Sequence, residues 1–269
     1  MIRISVGIGI ISIVLMASGC LPRGLAVRQA IRAQFERRLA QDSGHSQAAP
    51  PQSGSYTSGG KTIAYERFTP ALPGKRPALL LVHGADGLQN ALLADGYRRY
   101  AQNLARAGYD VFLIHYFDRT NTKESNRELD ARNFVPWFQT LTDGISYVSQ
   151  QPNIDSQHIG LLGFSLGAAL SIALAAHDPR VGALVEYFGG LPDWMENRIQ
   201  RMPPTLILHG DHDPLVSVQY AYKLQAVLQK KHLPVEMKVY PGQGHGFVGD
   251  ARADSARRTQ AFFDRYLQP

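Results

Sequence analysis

From residue 61 onward, short apolar runs alternate with longer stretches whose apolar positions recur every three or four residues. KTIAYERF (61–68) reads as an early strand. PALLLVHG (77–84), YDVFLIHY (109–116), IGLLGF (159–164), VGALVEYF (181–188), TLILHG (205–210) and VEMKVY (235–240) follow as further strands. Between them the spacing predicts helices over residues 95–107, over about 137–150 after Pro136, through SLGAALSIALAA, from near Ser217, and over about 254–267. Most of these strands are apolar throughout rather than alternating, as strands covered on both faces must be. Strands of that kind alternating with helices predict an α/β domain built on a mostly parallel sheet, with helices on both faces.

The first 60 residues follow a different pattern. MIRISVGIGIISIVLMASGC carries one Arg, then an uncharged and mostly apolar run, then small residues ahead of Cys20. That layout predicts a secretory signal peptide over 1–19, since the run is short for a membrane span. Ala17-Ser18-Gly19-Cys20 resembles the bacterial lipobox, with alanine where leucine is more usual. The resemblance implies acylation of the Cys20 thiol, and Leu21 after it implies sorting to the outer membrane of the cell envelope, periplasmic side. Residues 24–41 set Val27, Ile31, Phe35 and Leu39 on one helical stripe amid arginines. Such a helix either lies on an anionic membrane surface or packs on the main domain. Residues 42–60 hold little that could form a core and read as a flexible tether. The expected layout is therefore a signal peptide (1–19), a lipid-anchored basic helix and tether (20–60), and a catalytic domain (61–269).

Charge changes the picture little. Of the formal net charge of +6, residues 1–60 supply six Arg against Glu36 and Asp42, or +4, which leaves +2 for the rest. The basic character belongs to the appendage, so a nucleic-acid partner is not expected for the main domain. Cys20 is the sole cysteine, which excludes an intrachain disulfide.

Candidate chemistry begins at GFSLG, where Gly163, Ser165 and Gly167 fit G-x-S-x-G between a strand and a helix. Its duller reading is a turn in which Ser165 caps the helix. A serine hydroxyl needs a base, and the base needs an orienting acid. Asp213 stands just past the end of TLILHG, 48 residues after Ser165, and His245 stands in a glycine-flanked loop 32 residues later. The order Ser, Asp, His, each after a successive strand, makes Ser165, Asp213 and His245 a candidate catalytic triad. Two backbone donors would complete an oxyanion hole: the N–H of Leu166 and, from the loop after LLLVHG, that of Ala85. Asp211 rivals Asp213 as the acid, though the spacing from Gly210 favours Asp213. His83 is expected to shape its loop rather than act as a base. His209, Asp211, His212 and Asp213 invite a metal reading but lack the spaced His pairs of a zinc site. His115, His158, His177 and His232 are expected at the surface or as satisfied core residues. GGLPDWMENRIQRMPP after the strand 181–188 is expected to supply part of a pocket wall, with Phe164, Trp194 and Tyr187 as candidate shaping residues, although aromatic residues near a sheet are more often core than pocket.

LLLVHGADGL, LLGFSLGAA, LHGDHDPLV and GHGF, in this order, resemble the dienelactone hydrolase family of α/β-hydrolases across residues 61–269. The resemblance implies an α/β-hydrolase fold without a large cap domain and hydrolysis of a carboxylic ester or lactone through an acyl-enzyme, with no cofactor. Members typically carry cysteine where this chain has Ser165, and a basic residue soon after the histidine that HGFVGD lacks. The expectation is therefore a serine esterase acting on a small-molecule ester. The alternatives are a peptidase of prolyl-oligopeptidase type and a non-catalytic envelope lipoprotein that keeps the fold as a binding module. The sequence is silent on oligomeric state.

Overall fold

A computed structural model describes residues 51–70 and 73–268. The expectations for the signal peptide, Cys20 and the helix at 24–41 fall outside the described residues. Eight strands form one sheet in the order β1-β2-β4-β3-β5-β6-β7-β8. In chain order these are β1 (Gln52–Ser58), β2 (Lys61–Phe68), β3 (Arg76–Val82), β4 (Asp110–Ile114), β5 (Ile154–Phe164), β6 (Val181–Tyr187), β7 (Thr205–Gly210) and β8 (Val235–Tyr240). β1 and β2 run antiparallel to each other, and β2 antiparallel to β4, while the pairings from β4 through β8 are parallel. Every residue of β3 and β4 is buried, so their apolar runs find cover on both faces.

Five helices supply that cover: α1 (Ala91–Arg106), α2 (Arg127–Ser149), α3 (Leu166–His177), α4 (Gln219–Lys230) and α5 (Gly249–Leu267). One face packs Leu80, Leu161 and Leu184 against Trp137 and Leu141 of α2, Leu170 of α3 and Leu224 of α4. The other packs Leu79, Leu162 and Val185 against Leu104 of α1 and Phe262 and Phe263 of α5. Among the described residues no helix is long and apolar enough to cross a membrane.

Two expectations about element limits are corrected. The tether was expected to run to residue 60, but Gln52–Ser58 pairs in full register with β2. An edge strand needs few apolar side chains, and this one is anchored by polar contacts to α2. The Tyr56 hydroxyl donates to the Thr140 carbonyl (2.8 Å), and Ser58 Oγ donates to Asp143 Oδ2 (2.7 Å). The helix expected after Pro136 instead starts at Arg127 and contains the proline. Asn126 caps it, its Oδ1 accepting the N–H groups of Glu128 (3.1 Å) and Leu129 (3.0 Å). The carbonyl that Pro136 leaves without its helical donor belongs to exposed Arg132, where water can solvate it.

Asp110 ties three strands together at the end of the sheet remote from the loops that carry the candidate chemistry. Its carboxylate, fully buried, accepts from Arg67 Nε (2.8 Å) and Nη2 (2.7 Å) and from Arg76 Nη2 (3.2 Å). A buried charge is tolerated when it is paired and hydrogen-bonded in this way. The opposite, carboxyl ends of β3, β5, β7 and β8 are where Ala85, Ser165, Asp213 and His245 emerge.

Candidate active site

Ser165 sits between the last residue of β5 and the first of α3, at φ 54° and ψ −117°. That backbone conformation is strained for a residue with a side chain, costing on the order of 1–3 kcal/mol. Neighbours hold it there. The Ser165 N–H donates to the Tyr187 carbonyl (2.9 Å), and the Ser165 carbonyl accepts from Ala168 (3.0 Å) and Ala169 (3.2 Å) in the first turn of α3. Glycine at 163 is required by close approach: a Cβ would lie 2.6 Å from the Gly167 carbonyl oxygen and 2.7 Å from Ala168 Cα. A Cβ on Gly167 would strike the carbonyls of Val82 and His83. Gly163 thus lets α3 pack against the end of β5, Gly167 lets it press against β3, and the serine stands out of the turn between them. Ser165→Gly should relieve the strain. We expect it to raise unfolding stability by about 0.5–1.5 kcal/mol, the strain less glycine's greater unfolded-state entropy. Thermal melts beside wild type check this.

His245 Nε2 lies 2.9 Å from Ser165 Oγ, and His245 Nδ1 lies 2.7 Å from Asp213 Oδ2. Three residues up to 80 positions apart in the chain are therefore joined in one hydrogen-bonded line. The Asp213 side chain is buried, and its Oδ1 accepts from the N–H groups of Leu215 (2.8 Å) and Val216 (2.9 Å). Burial alone would raise its pKa. Hydrogen bonds from His209, His245 and the Val216 N–H outweigh burial and hold the carboxyl well below the usual carboxylate range. Asp211, the rival, points elsewhere: it is exposed and accepts from the Gly242 N–H (2.7 Å).

The two expected backbone donors flank the serine. Leu166 is the first residue of α3, whose opening N–H groups have no acceptor within the helix. Ala85 follows β3 in a loop pinned by the Gly87 N–H to Gly84 carbonyl bond (3.1 Å) and by Ser125, whose N–H donates to the Ala85 carbonyl (2.8 Å). Gly84 brings this loop against the turn, since a Cβ there would lie 3.3 Å from Ser165 Cβ. His83 is buried, with Nδ1 2.8 Å from the Gly84 carbonyl and its ring stacked on Tyr116 (4.3 Å). Burial pulls its imidazole down to about 3, so it is neutral and shapes the loop.

Ser165, His245, Leu166 and Ala85 open onto a cavity of about 720 Å³. Of the aromatic candidates, Phe164 and Tyr187 line it. Trp194 does not: it packs edge-on to Phe134 (5.6 Å), because only Gly189–Pro192 of its segment reach the cavity. The sequence reading missed Phe188, at φ 40° with its ring 4.7 Å from that of His245, and Tyr97, whose hydroxyl accepts the Gly84 N–H (3.0 Å). Nor does it find Arg252, which lines the cavity from the first turns of α5, just beyond the HGFVGD segment. Helical periodicity after the histidine is the signal that could have found it. Among the described residues no group of three or more metal-ligating side chains is placed to hold an ion.

Comparison with known proteins agrees with this architecture. The carboxymethylenebutenolidase of Rhodococcus opacus is 26% identical over 201 residues, covering 64% of this chain and 76% of that one. The crystal structure of a dienelactone hydrolase from Anabaena variabilis superposes with a TM-score of 0.64 at 22% identity, covering 82% of this chain and 100% of the other. An acylaminoacyl peptidase from Pyrococcus horikoshii shares the fold with a TM-score of 0.69 at 15% identity, covering 85% of this chain and 44% of its own. Residues 64–267 match the family model described as Dienelactone hydrolase family. With that match over most of the chain, and a mostly parallel eight-stranded sheet beneath it, the protein belongs to the dienelactone hydrolase family of α/β-hydrolases.

Proposed function

We propose that the protein is a serine hydrolase that cleaves a carboxylic ester or lactone through an acyl-enzyme on Ser165. The observation that carries the reading is the pair of distances at His245, 2.9 Å to Ser165 Oγ and 2.7 Å to Asp213 Oδ2. Ser165 Oγ attacks the carbonyl carbon while His245 Nε2 takes the hydroxyl proton. Asp213 holds the ring in the tautomer with Nδ1–H and offsets the positive charge that forms on it. The N–H groups of Leu166 and Ala85 receive the oxyanion, and the opening turn of α3 adds its positive end. Collapse expels the alcohol, which takes the proton from His245. For a lactone that alcohol stays attached to the acyl group. Water, activated by the same imidazole, then frees the acid and restores Ser165.

Family membership and the relatives' names support ester or lactone substrates. Ser165, in place of the more usual cysteine, supports a general ester substrate over dienelactone itself. The test is turnover of p-nitrophenyl esters of increasing chain length beside aminoacyl p-nitroanilides. A higher kcat/KM on the esters is expected. Higher activity on the anilides would replace this reading with the peptidase one, and a well-folded protein inactive on both would favour a binding module.

We further propose that the protein is held in the bacterial cell envelope by acylation of Cys20. The apolar run ending in Ala17-Ser18-Gly19-Cys20 supports this. Expressed with its full leader in a Gram-negative host, wild type is expected in the membrane fraction and Cys20→Ser in the soluble periplasm. Equal membrane retention of both would refute the anchor.

A further inference from the structure

Behind the triad lies a second set of buried polar groups that the mechanism above does not use. Glu186 stands in the middle of the sheet on β6, paired in register with Gly163 of β5 on one side and Ile207 of β7 on the other. It is fully buried. His209, two residues past Ile207, falls on the same face of the sheet and is also fully buried. A carboxyl and an imidazole in such places cost several kcal/mol unless they are satisfied, so each needs an explanation.

Part of it is local. Glu186 Oε2 accepts the Gly189 N–H (2.9 Å), and Gly189 packs so closely under Ser165 that a Cβ on it would lie 3.3 Å from the Ser165 carbonyl oxygen. His209 Nε2 lies 2.9 Å from the Val216 carbonyl and 3.4 Å from Asp213 Oδ2. A carbonyl can only accept, so Nε2 carries a proton and turns it toward both oxygens. The other ends of the two groups, Glu186 Oε1 and His209 Nδ1, are buried with no hydrogen-bond partner.

We propose that Glu186 and His209 are a positioning pair, in which the buried carboxyl favours the charged form of the imidazole and the imidazole presents its positive edge to Asp213. This fixes the Asp213 carboxylate and weakens the grip of the Asp213–His245 couple on the proton it takes during turnover. The inference rests on the triad reading given above.

The facing groups are consistent with such a pair. From α3 the neighbour is Ser171, whose buried hydroxyl lies over Gly163 and titrates nowhere near neutrality. From the β7–α4 loop it is Asp213, and from the β8–α5 loop His245, on the far side of Asp213. Burial pushes the Glu186 carboxyl up to about 7, with His209 and the Gly189 N–H opposing. Burial pulls the His209 imidazole down, but the hydrogen bond with Asp213 and the charge of Glu186 outweigh it, so that it is raised. The two titrations are therefore coupled through their charges, each group's charge favouring the charged form of the other.

The test is the pH profile of kcat/KM for ester hydrolysis by wild type, Glu186→Gln, His209→Asn and the apolar double variant Glu186→Leu/His209→Phe. Without the positive edge beside Asp213, the couple holds its proton more tightly. The acid limb is then expected to move to higher pH by about half a unit or more in each variant, and no further in the double variant than in the singles. Should the single variants fail to fold, the double decides, because replacing both members of a buried pair with apolar groups is commonly tolerated. An acid limb unmoved in a folded variant, whatever its loss of kcat, would overturn the proposal and leave the pair a packing feature. A wild type that neither turns over esters nor reacts at Ser165 would instead bring down the triad reading, and this inference with it.

Discussion

Ser165→Ala is expected to lower kcat on esters by about 10⁴-fold or more while leaving the fold intact. The expectation follows from how little else the hydroxyl does. The backbone of residue 165 is held by its own N–H and carbonyl, bonded to Tyr187, Ala168 and Ala169, and alanine keeps all three. The oxygen has its bond to His245 Nε2, which is lost, and the strained backbone remains as it was. Circular dichroism and thermal melting should therefore match wild type closely, while steady-state turnover collapses. The residual rate should stay above that in water, since the two backbone donors and the cavity are untouched. Wild-type turnover by a pure preparation would end the account.

Asp213→Asn is expected to cost about 10³–10⁴-fold in kcat near neutral pH. The carboxylate is oriented by two backbone donors: the N–H groups of Leu215 and Val216 both reach Oδ1. An asparagine would turn its carbonyl oxygen to those donors and its NH₂ to His245. Two donors cannot face each other, so the ring would keep its proton on Nε2 and could no longer accept from Ser165. Stability carries a second signature. The folded carboxyl lies below its ordinary value of 3.8, so the carboxylate stabilises the fold above that pH, and this contribution is lost as pH falls beneath it. The amide of the variant does not titrate, so the stability of Asp213→Asn should fall less steeply below about pH 4 than that of wild type. Denaturant midpoints between about pH 5 and pH 2.5 check the sign.

The buried strands could be read from the chain because burial on both faces forces unbroken apolar runs. All seven residues of β3 are buried, and its run is too short for a buried helix and closes on His-Gly, as a buried strand's does. Ser165 and Asp213 could be read for a related reason, since each follows closely on such a run, whereas His245 follows the mixed, half-buried strand VEMKVY and is marked by its glycine-flanked loop. What failed to show was whatever a partner element supplies. β1 is mostly polar, and its place depends on hydrogen bonds to α2, 82 or more residues away. Pro136 looks like a helix start, yet capping by Asn126 and the burial of Trp137 and Leu141 override it. The Glu186–His209 pair depends on the register between β6 and β7, which no spacing within either strand reveals. For Trp194 the chain leaves core and pocket both open, and the Gly189–Gly190 turn decides it by carrying the chain past the cavity first, so that Trp194 packs against the core.

The central claim is that Ser165 is a nucleophile activated by His245 and Asp213. Its most direct measurement is reaction of the purified protein with a fluorophosphonate, followed by peptide mass mapping, beside Ser165→Ala and His245→Ala. One adduct per wild-type chain is expected, on the peptide containing Ser165, with none on Ser165→Ala and only slow labelling of His245→Ala. A folded wild type that stays unlabelled, or an adduct that persists in Ser165→Ala, would contradict the claim.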